Sequence, residues 1–260
     1  LYNLYFGKER AGMFTRLATS LVLNYLRKWD VASCNRVNKF VAISRYIAER
    51  IKKNYGRDSD LIYPPVDCSY FKPGLANDGF YLMVSPLAPN KRVDIAVEAF
   101  NSIDLPLIVI GSGQEEKKLE KMAGKNIKLM GWQSDEIVRE HYVNCKALIF
   151  PGVEDFGIVP LEAQACGKPV IAFGEGGALE TIVPLDKNIG NSNATGLFFY
   201  EQTAESLANA VARFEDVQGQ FNCQAIRRNA ELFDRAIFKD RIKEYIEKKY
   251  KEFRRDLQDK

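Results

Sequence analysis

From Phe80 onward the chain repeats one pattern, a short run of consecutive apolar residues followed by a helical stretch. The runs are FYLMV (80–84), LIVI (107–110), IKLM (127–130), ALIF (147–150), VIAF (170–173) and GLFFY (196–200). Their nearly unbroken apolar character predicts strands covered on both faces. Between them Val93, Ala96, Val97 and Phe100, and later Leu207, Ala210, Val211 and Phe214, recur at helical spacing. Buried strands joined by helices predict an α/β fold built on a doubly wound parallel sheet. In such sheets ligands sit beyond the carboxyl ends of the strands, so the turn after each strand is where chemistry is expected.

Upstream, FVAIS (40–44) predicts a strand, followed by a helix in which Ile43, Ile47, Ile51 and Tyr55 fall four apart. Ser44 is suited to cap that helix and Gly56 to end it. LIY (61–63) predicts a further strand, and PPVD with FKPG an extended linker. The resulting division is a first unit at 1–66, a second at 67–237 and a closing helix at 238–260. That helix carries Ile242, Tyr245, Ile246, Tyr250, Phe253 and Leu257 on one stripe. Near the start, Phe14, Leu17, Ala18, Leu21, Tyr25 and Trp29 mark another helix. Core packing is its plainer reading; the alternative is a membrane-surface helix, with Arg27, Lys28, Arg36 and Lys39 beside the apolar face.

Composition narrows the function classes. Lys and Arg number 37 against 34 Asp and Glu, a formal charge of +3, too balanced to propose nucleic acid as a partner. Five cysteines (Cys34, Cys68, Cys145, Cys166 and Cys223) show no paired short spacing, so neither a disulfide framework nor a zinc site is expected, and a reducing, cytoplasmic setting is. No apolar run reaches the roughly 20 residues that span a bilayer. Because the first residue is Leu1, the chain is expected to be a piece of a longer protein.

Four strand-end turns carry the candidate chemistry. After FYLMV, Asn90 is expected to cap a helix that begins with Lys91 and Arg92, two cations at its positive end. A bound anion would explain that placement, and side chains extending into solvent would be the ordinary one. After LIVI comes Gly111-Ser112-Gly113, which lets a backbone approach a ligand or simply makes a tight turn; Glu116 stands where a dinucleotide fingerprint needs a third glycine. After ALIF comes PGVEDFGIVPLEAQACGKPV. Pro160 fits the first turn of a helix, so the free amides of Phe156, Gly157, Ile158 and Val159 gather at its start, ready for phosphate or sugar oxygens. Glu154 precedes them and Glu162 lies one turn into the helix, with seven residues between, so both can face one cleft and accept from vicinal hydroxyls. After VIAF, Gly174-Glu175-Gly176-Gly177 precedes another helix and could border the same anion. Asp58-Ser59-Asp60 has a metal-site spacing but is expected in a turn, with no metal bound. His141 is expected at the surface, and the Asn193-Ala194-Thr195 sequon to be unused.

Taken in order, FVAISRYIAERI, YPPVD, SPLAPNKRVDIAVEAF, GSGQE, the Glu154 to Glu162 stretch and TGLFFYEQTAESLANAV resemble glycosyltransferase family 4, retaining enzymes of GT-B fold. Their hallmark is a Glu, seven residues and another Glu. The wording is most similar to a mannosyltransferase-like subgroup. The resemblance implies a GT-B architecture, with a Rossmann-like donor domain at 67–237 and a truncated N-terminal α/β acceptor domain at 1–66, toward which the last helix packs back. It implies that Glu154 contacts the donor sugar, Lys91 neutralises the diphosphate and Glu162 holds the ribose. Further donor contacts are expected from Arg92, Gly111, Gly113, Met130, Trp132, Asp155, Phe156, Gly157, Ile158 and Val159. It implies no cofactor and no metal, with a cation and a helix dipole stabilising the leaving group. An arginine common in the family five residues before the lysine is here Pro86, which is expected to weaken donor binding unless Arg92 compensates.

The function expected is transfer of a sugar, best mannose from GDP-mannose, to a surface glycan or lipid-linked acceptor, at the cytoplasm's membrane face. The alternative is a nucleotide-sugar-binding module without full activity. An epimerase of similar architecture would need an acidic and histidine constellation that lone His141 does not supply.

Overall fold

The computed structural model describes residues 12–74, 78–185 and 193–258, and of residues 13–17, 256 and 257 only the backbone. Phe14, Leu17 and Leu257 therefore fall outside the described side chains. Two parallel sheets organise the chain. The smaller pairs β1 (Phe40–Ala42) with β2 (Ser59–Leu61), connected by α2 (Arg45–Tyr55). The larger has six strands: β3 (Tyr81–Val84), β4 (Leu107–Ile110), β5 (Ile127–Leu129), β6 (Leu148–Phe150), β7 (Val170–Phe173) and β8 (Gly196–Phe199). Its order is β5-β4-β3-β6-β7-β8, with every pairing parallel.

This is the doubly wound sheet that the six apolar runs predict, and both faces are buried. Tyr81 and Met83 join one core with Val93, Phe100, Leu119, Leu207 and Phe214, from helices α3 (Val93–Ile103), α4 (Glu116–Met122) and α8 (Ala204–Val217). Leu82, between them on β3, joins the other, with Tyr142, Ala163 and Ala178 from α5 (Asp135–Asn144), α6 (Ile158–Ala165) and α7 (Ala178–Thr181). Successive side chains of a strand point to opposite faces, so a strand with helices on both sides has no position for a polar residue.

The first unit differs in detail from expectation. Ser44 does cap α2, its hydroxyl accepting from the Ile47 amide at 3.0 Å, and Gly56 ends the helix at φ 66°. A second cap was not legible in the sequence: Glu180, from α7, accepts from the amides of Arg45 (2.9 Å) and Tyr46 (3.0 Å) and from the Tyr63 hydroxyl (3.0 Å). Asp58-Ser59-Asp60 is not a turn, since Ser59 and Asp60 belong to β2. Asp58 pairs with Lys52 at 2.8 Å, and Asp60 accepts from the Tyr245 hydroxyl at 3.0 Å. Helix α1 (Met13–Ser33) does not pack its stripe into a core: Leu21, Tyr25 and Trp29 are exposed, because among the described residues no element covers that face.

The linker is anchored. Val66 donates to the Phe233 carbonyl and accepts from the Arg235 amide, and the Arg227 guanidinium bonds the carbonyls of Cys68, Phe71 and Ala165. Arg227 lies on α9 (Cys223–Glu231), and α10 (Arg235–Gln258) begins beside the linker, three residues earlier than expected, and reaches Asp60 through Tyr245 and Lys249. The five cysteines are free thiols. Among the described residues no helix is long and apolar enough to cross a membrane.

Glu180 links α2 to α7 through two charge-assisted bonds, each stronger than a neutral one. Glu180→Ala is expected to lower the unfolding free energy by about 1–2 kcal/mol, the usual worth of a helix cap. Urea denaturation followed by circular dichroism measures this, and an unchanged midpoint would refute the assignment.

Candidate functional site

The strand order reverses between β3 and β6, and there the chain leaves a crevice at the strands' carboxyl ends. Two adjoining compartments fill it, of about 340 and 350 Å³. Val84, Ser85, Pro86 and Val159 line both, so they are halves of one cleft. The central compartment follows β3 and β6 and is bordered by Lys91, Glu154, Asp155, Phe156, Gly157 and Ile158. The lateral one lies toward β4 and β5 and includes Gly111, Ser112, Trp132, Asp135 and Glu162.

Lys91 and Glu154 meet in the central compartment, the ammonium donating to the carboxylate. Each side chain is about three-quarters buried, 24% and 23% exposed. Removing either partner would leave the other charge poorly compensated. The loop that carries Glu154 is held from behind: its carbonyl accepts from the Gly177 amide at 2.8 Å, and Glu154 forms a parallel bridge with Gly176. The Gly174-Glu175-Gly176-Gly177 turn thus supports the Glu154 loop, and its four-residue helix α7 is too short to gather anion-binding amides.

Helix α6 starts as expected, with Pro160 in its first turn. Gly157 occupies the cap position at φ 98°, a conformation that an L side chain rarely adopts, and the residues that follow it, Ile158 and Val159, line the central compartment. The Phe156 side chain takes no part in the cleft wall's polar chemistry. It is buried, stacked on Tyr63 (5.5 Å between centroids) and edge-on to Phe233 (5.7 Å), and so locks the loop to the linker.

Glu162 faces the lateral compartment, one helical turn from Glu154's compartment, and accepts from the Tyr142 hydroxyl at 2.9 Å. Burial pushes its carboxyl above the ordinary value, Tyr142 opposes this by hydrogen bonding to the anion, and Asp135 adds to the rise. Burial, with the Glu162 charge, also pushes the Tyr142 hydroxyl well above its ordinary range.

Three expected donor residues do not line this cleft. Arg92 is not in a helix's first turn: Pro89–Lys91 is a 3-10 turn, Arg92 follows at φ 53°, and α3 begins at Val93. Its guanidinium bonds Asp94 (3.1 Å) and Gln202 (3.0 Å), so each of the two cations has partners within the protein. Gly113 and Met130 also lie away from the lining. A Cβ on Gly113 would come within 2.5 Å of the Leu87 carbonyl oxygen, and one on Gly111 would overlap that of Ser85. Both glycines are needed for close approach of the chain to itself, the tight-turn reading, although Gly111 still borders the cleft. Met130 packs into the core on the α5–α6 side. Trp132 is 75% exposed at the cleft's rim.

Asp155 lines the central compartment but pairs with Arg50 of α2 at 2.8 Å, and Ile43 and Pro64 close the same wall from the first unit. None of these three was legible, nor was Tyr142. Ser112 lies between the two glycines already singled out after β4, and Asp135 opens α5 six residues after β5 ends, so the strand-end rule reaches both. His141 is half-buried, its ring against Phe80 and Nδ1 2.7 Å from the Ile137 carbonyl. Thr195 of the sequon is buried, its hydroxyl accepting from the Val183 amide.

Residues 70–232 match the family of glycosyl transferases group 1. The chain belongs to this family. An uncharacterized glycosyltransferase of Methanocaldococcus jannaschii is 35% identical over 56% of this chain and 43% of its own length. The GDP-mannose-dependent monoacylated alpha-(1-6)-phosphatidylinositol monomannoside mannosyltransferase of Corynebacterium glutamicum is 29% identical over 69% of this chain and 53% of its own. The alpha-1,3/1,6-mannosyltransferase of Candida glabrata is 32% identical over 76% and 56%. The chain spans about half the length of the curated relatives it matches. Among solved structures, Anabaena HepE in complex with UDP and glucose superposes with a TM-score of 0.73 at 21% identity, covering 85% of this chain and 66% of that one. The fold is thereby that of the GT-B glycosyltransferases, as the resemblance implies.

The Glu162 environment makes a signed prediction. A carboxyl whose folded value lies above its ordinary 4.5 destabilises the fold when ionised; the penalty is full above the folded value and vanishes below the unfolded one. Glu162→Gln, which can still accept from Tyr142, is expected to stabilise the fold at pH 7. The gain should disappear as pH falls below about 4.5, in denaturation curves recorded across that range. A gain independent of pH would refute burial of the charge as its cause.

Proposed function

We propose that the cleft binds a nucleotide-sugar donor, GDP-mannose, and that the chain forms the donor side of a retaining, metal-independent mannosyltransferase. The contact between Lys91 and Glu154 at the switch point carries the reading. The pair stands where a sugar diphosphate would divide: phosphate oxygens against Lys91 and the amides at the start of α6, sugar hydroxyls against Glu154. A donor would exchange partners with the pair, so neither charge need be desolvated anew. Glu162 in the neighbouring compartment suits the two ribose hydroxyls, and Trp132 the base.

In the transfer the bond between the sugar's anomeric carbon and the diphosphate oxygen breaks, and a bond from that carbon to an acceptor hydroxyl forms. The hydroxyl's proton leaves with the departing phosphate. Charge developing on the leaving diphosphate is met by Lys91 and the helix's positive end, the work that a metal ion does in other enzymes. Mannose is favoured by the Corynebacterium and Candida relatives, which match at 29% and 32% identity, and GDP by the Corynebacterium one. The acceptor in this reading is a glycan or lipid-linked sugar, met at the cytoplasmic face of a membrane. The exposed Leu21, Tyr25 and Trp29 of α1, beside Arg27 and Lys28, support peripheral contact there.

The cleft is poor in cations: among its described lining residues Lys91 is the only basic one, against Asp135, Glu154, Asp155 and Glu162. Pro86, in both compartments, stands where an arginine would add a second.

Calorimetric titration with GDP-mannose, UDP-glucose, GDP and UDP tests the reading. GDP-mannose is expected to bind most tightly, and absence of binding by every nucleotide would sink it. Glu154→Ala is expected to cut transfer by about 100-fold or more while leaving the fold intact; retained turnover would refute its role. Pro86→Arg is expected to tighten GDP binding by about tenfold, one charge-assisted bond.

A further inference from the structure

A third cavity, of about 420 Å³, continues the row of compartments on the side away from Trp132. Its walls come from Arg92 after β3, Asp155 after β6, Glu175 after β7 and Gln202 after β8, with Tyr46 and Arg50 of α2 opposite. The sheet order makes the sequence of sites linear. The lateral compartment lies over β5 and β4, the central one over β3 and β6, and this cavity over β6, β7 and β8. Asp155 lines both the central compartment and this cavity, so the two adjoin there.

We propose that this cavity is a subsite for a neutral hexopyranosyl unit of the acceptor. The inference rests on the donor reading above: a donor with its nucleoside over β4 and β5 points its sugar end toward β6, and what lies next in line is what the sugar is transferred to. The lining supports a polyol over an ion. The two arginines are balanced by Asp155 and Glu175, and the rest of the wall is uncharged, with Val153 its apolar member. A wall with no net charge offers little to a free phosphate, whereas alternating carboxylate, amide and guanidinium groups can both donate to and accept from successive hydroxyls. Tyr46 adds a half-buried aromatic ring to the wall, with the Arg50 guanidinium 5.7 Å from its centroid. These groups are already oriented. Arg50 is held by Asp155, and Gln202 is bonded both to Arg92 and, at 2.9 Å, to the Pro151 carbonyl.

The test is an NMR titration of the isotope-labelled 260-residue chain. GDP alone is added first, then methyl α-D-mannopyranoside or methyl α-D-glucopyranoside at saturating GDP, and in a separate run inorganic phosphate. The expected result is that GDP shifts signals of Ser112 and Val159, while a glycoside then shifts those of Tyr46, Glu175 and Gln202. Glu175→Ala, at an exposed position, should weaken the glycoside about fivefold or more. GDP binding without any glycoside response at the three residues overturns the subsite and leaves the donor reading standing. The subsite is likewise overturned if phosphate shifts them and the glycosides do not, or if Glu175→Ala has no effect. Absence of GDP binding overturns the donor reading and the subsite with it.

Discussion

Burial of the six-stranded parallel sheet on both faces governs everything else in this protein. Helices α3, α4 and α8 cover one side and α5, α6 and α7 the other, so strand residues such as Tyr81, Leu82 and Met83 are fully used in packing. Polar chemistry is excluded from the inner strands and pushed to their ends, while the edge strand β5 keeps the exposed Lys128. At one end the order reverses between β3 and β6, and the loops that diverge there leave the cleft open. The site is thus a consequence of how the core is closed, and its residues come from turns that the core holds rigid.

Those turns support one another more than they wait for a ligand. The Glu154 loop leans on the Gly176 and Gly177 backbone, the Gly111 turn on Ser85, and Phe156 on Tyr63 and Phe233. Charges are likewise met internally: Lys91 by Glu154, Arg92 by Asp94, Asp155 by Arg50. Preorganisation of this kind spares a binding site the cost of ordering its side chains when ligand arrives. The contact of Arg50 with Asp155 also ties the smaller sheet's helix to the loop that carries Glu154, and Glu180 ties the start of that helix to α7.

The glycines show where a motif underdetermines its own explanation. Gly111 and Gly113 read equally well as a ligand cradle or as a tight turn, because both demands select for absence of a side chain. The neighbouring carbonyls of Ser85 and Leu87 show that the turn itself needs both glycines, while Gly111 also borders the cleft. Lys91 and Arg92 pose the same problem, since a sequence shows two cations but not the anions that face them.

Local sequence was enough to define the sheet, its strands to within a residue or two, the caps at Ser44 and Gly56, and the loop from Glu154 to Glu162. Each of these depends on local periodicity, turn chemistry or short spacing, which are properties of neighbouring residues. Folding in three dimensions was needed to show that Arg92 turns from the cleft to Asp94, that Asp58 and Asp60 serve Lys52 and Tyr245, that α1 leaves Leu21, Tyr25 and Trp29 exposed, and that Tyr142 and Glu180 hold their distant partners. Glu180 and Arg45 are separated by 135 positions and meet only because the fold brings α7 against the start of α2. A contact of that range leaves no periodic signature, so the chain must fold before its partner can be known.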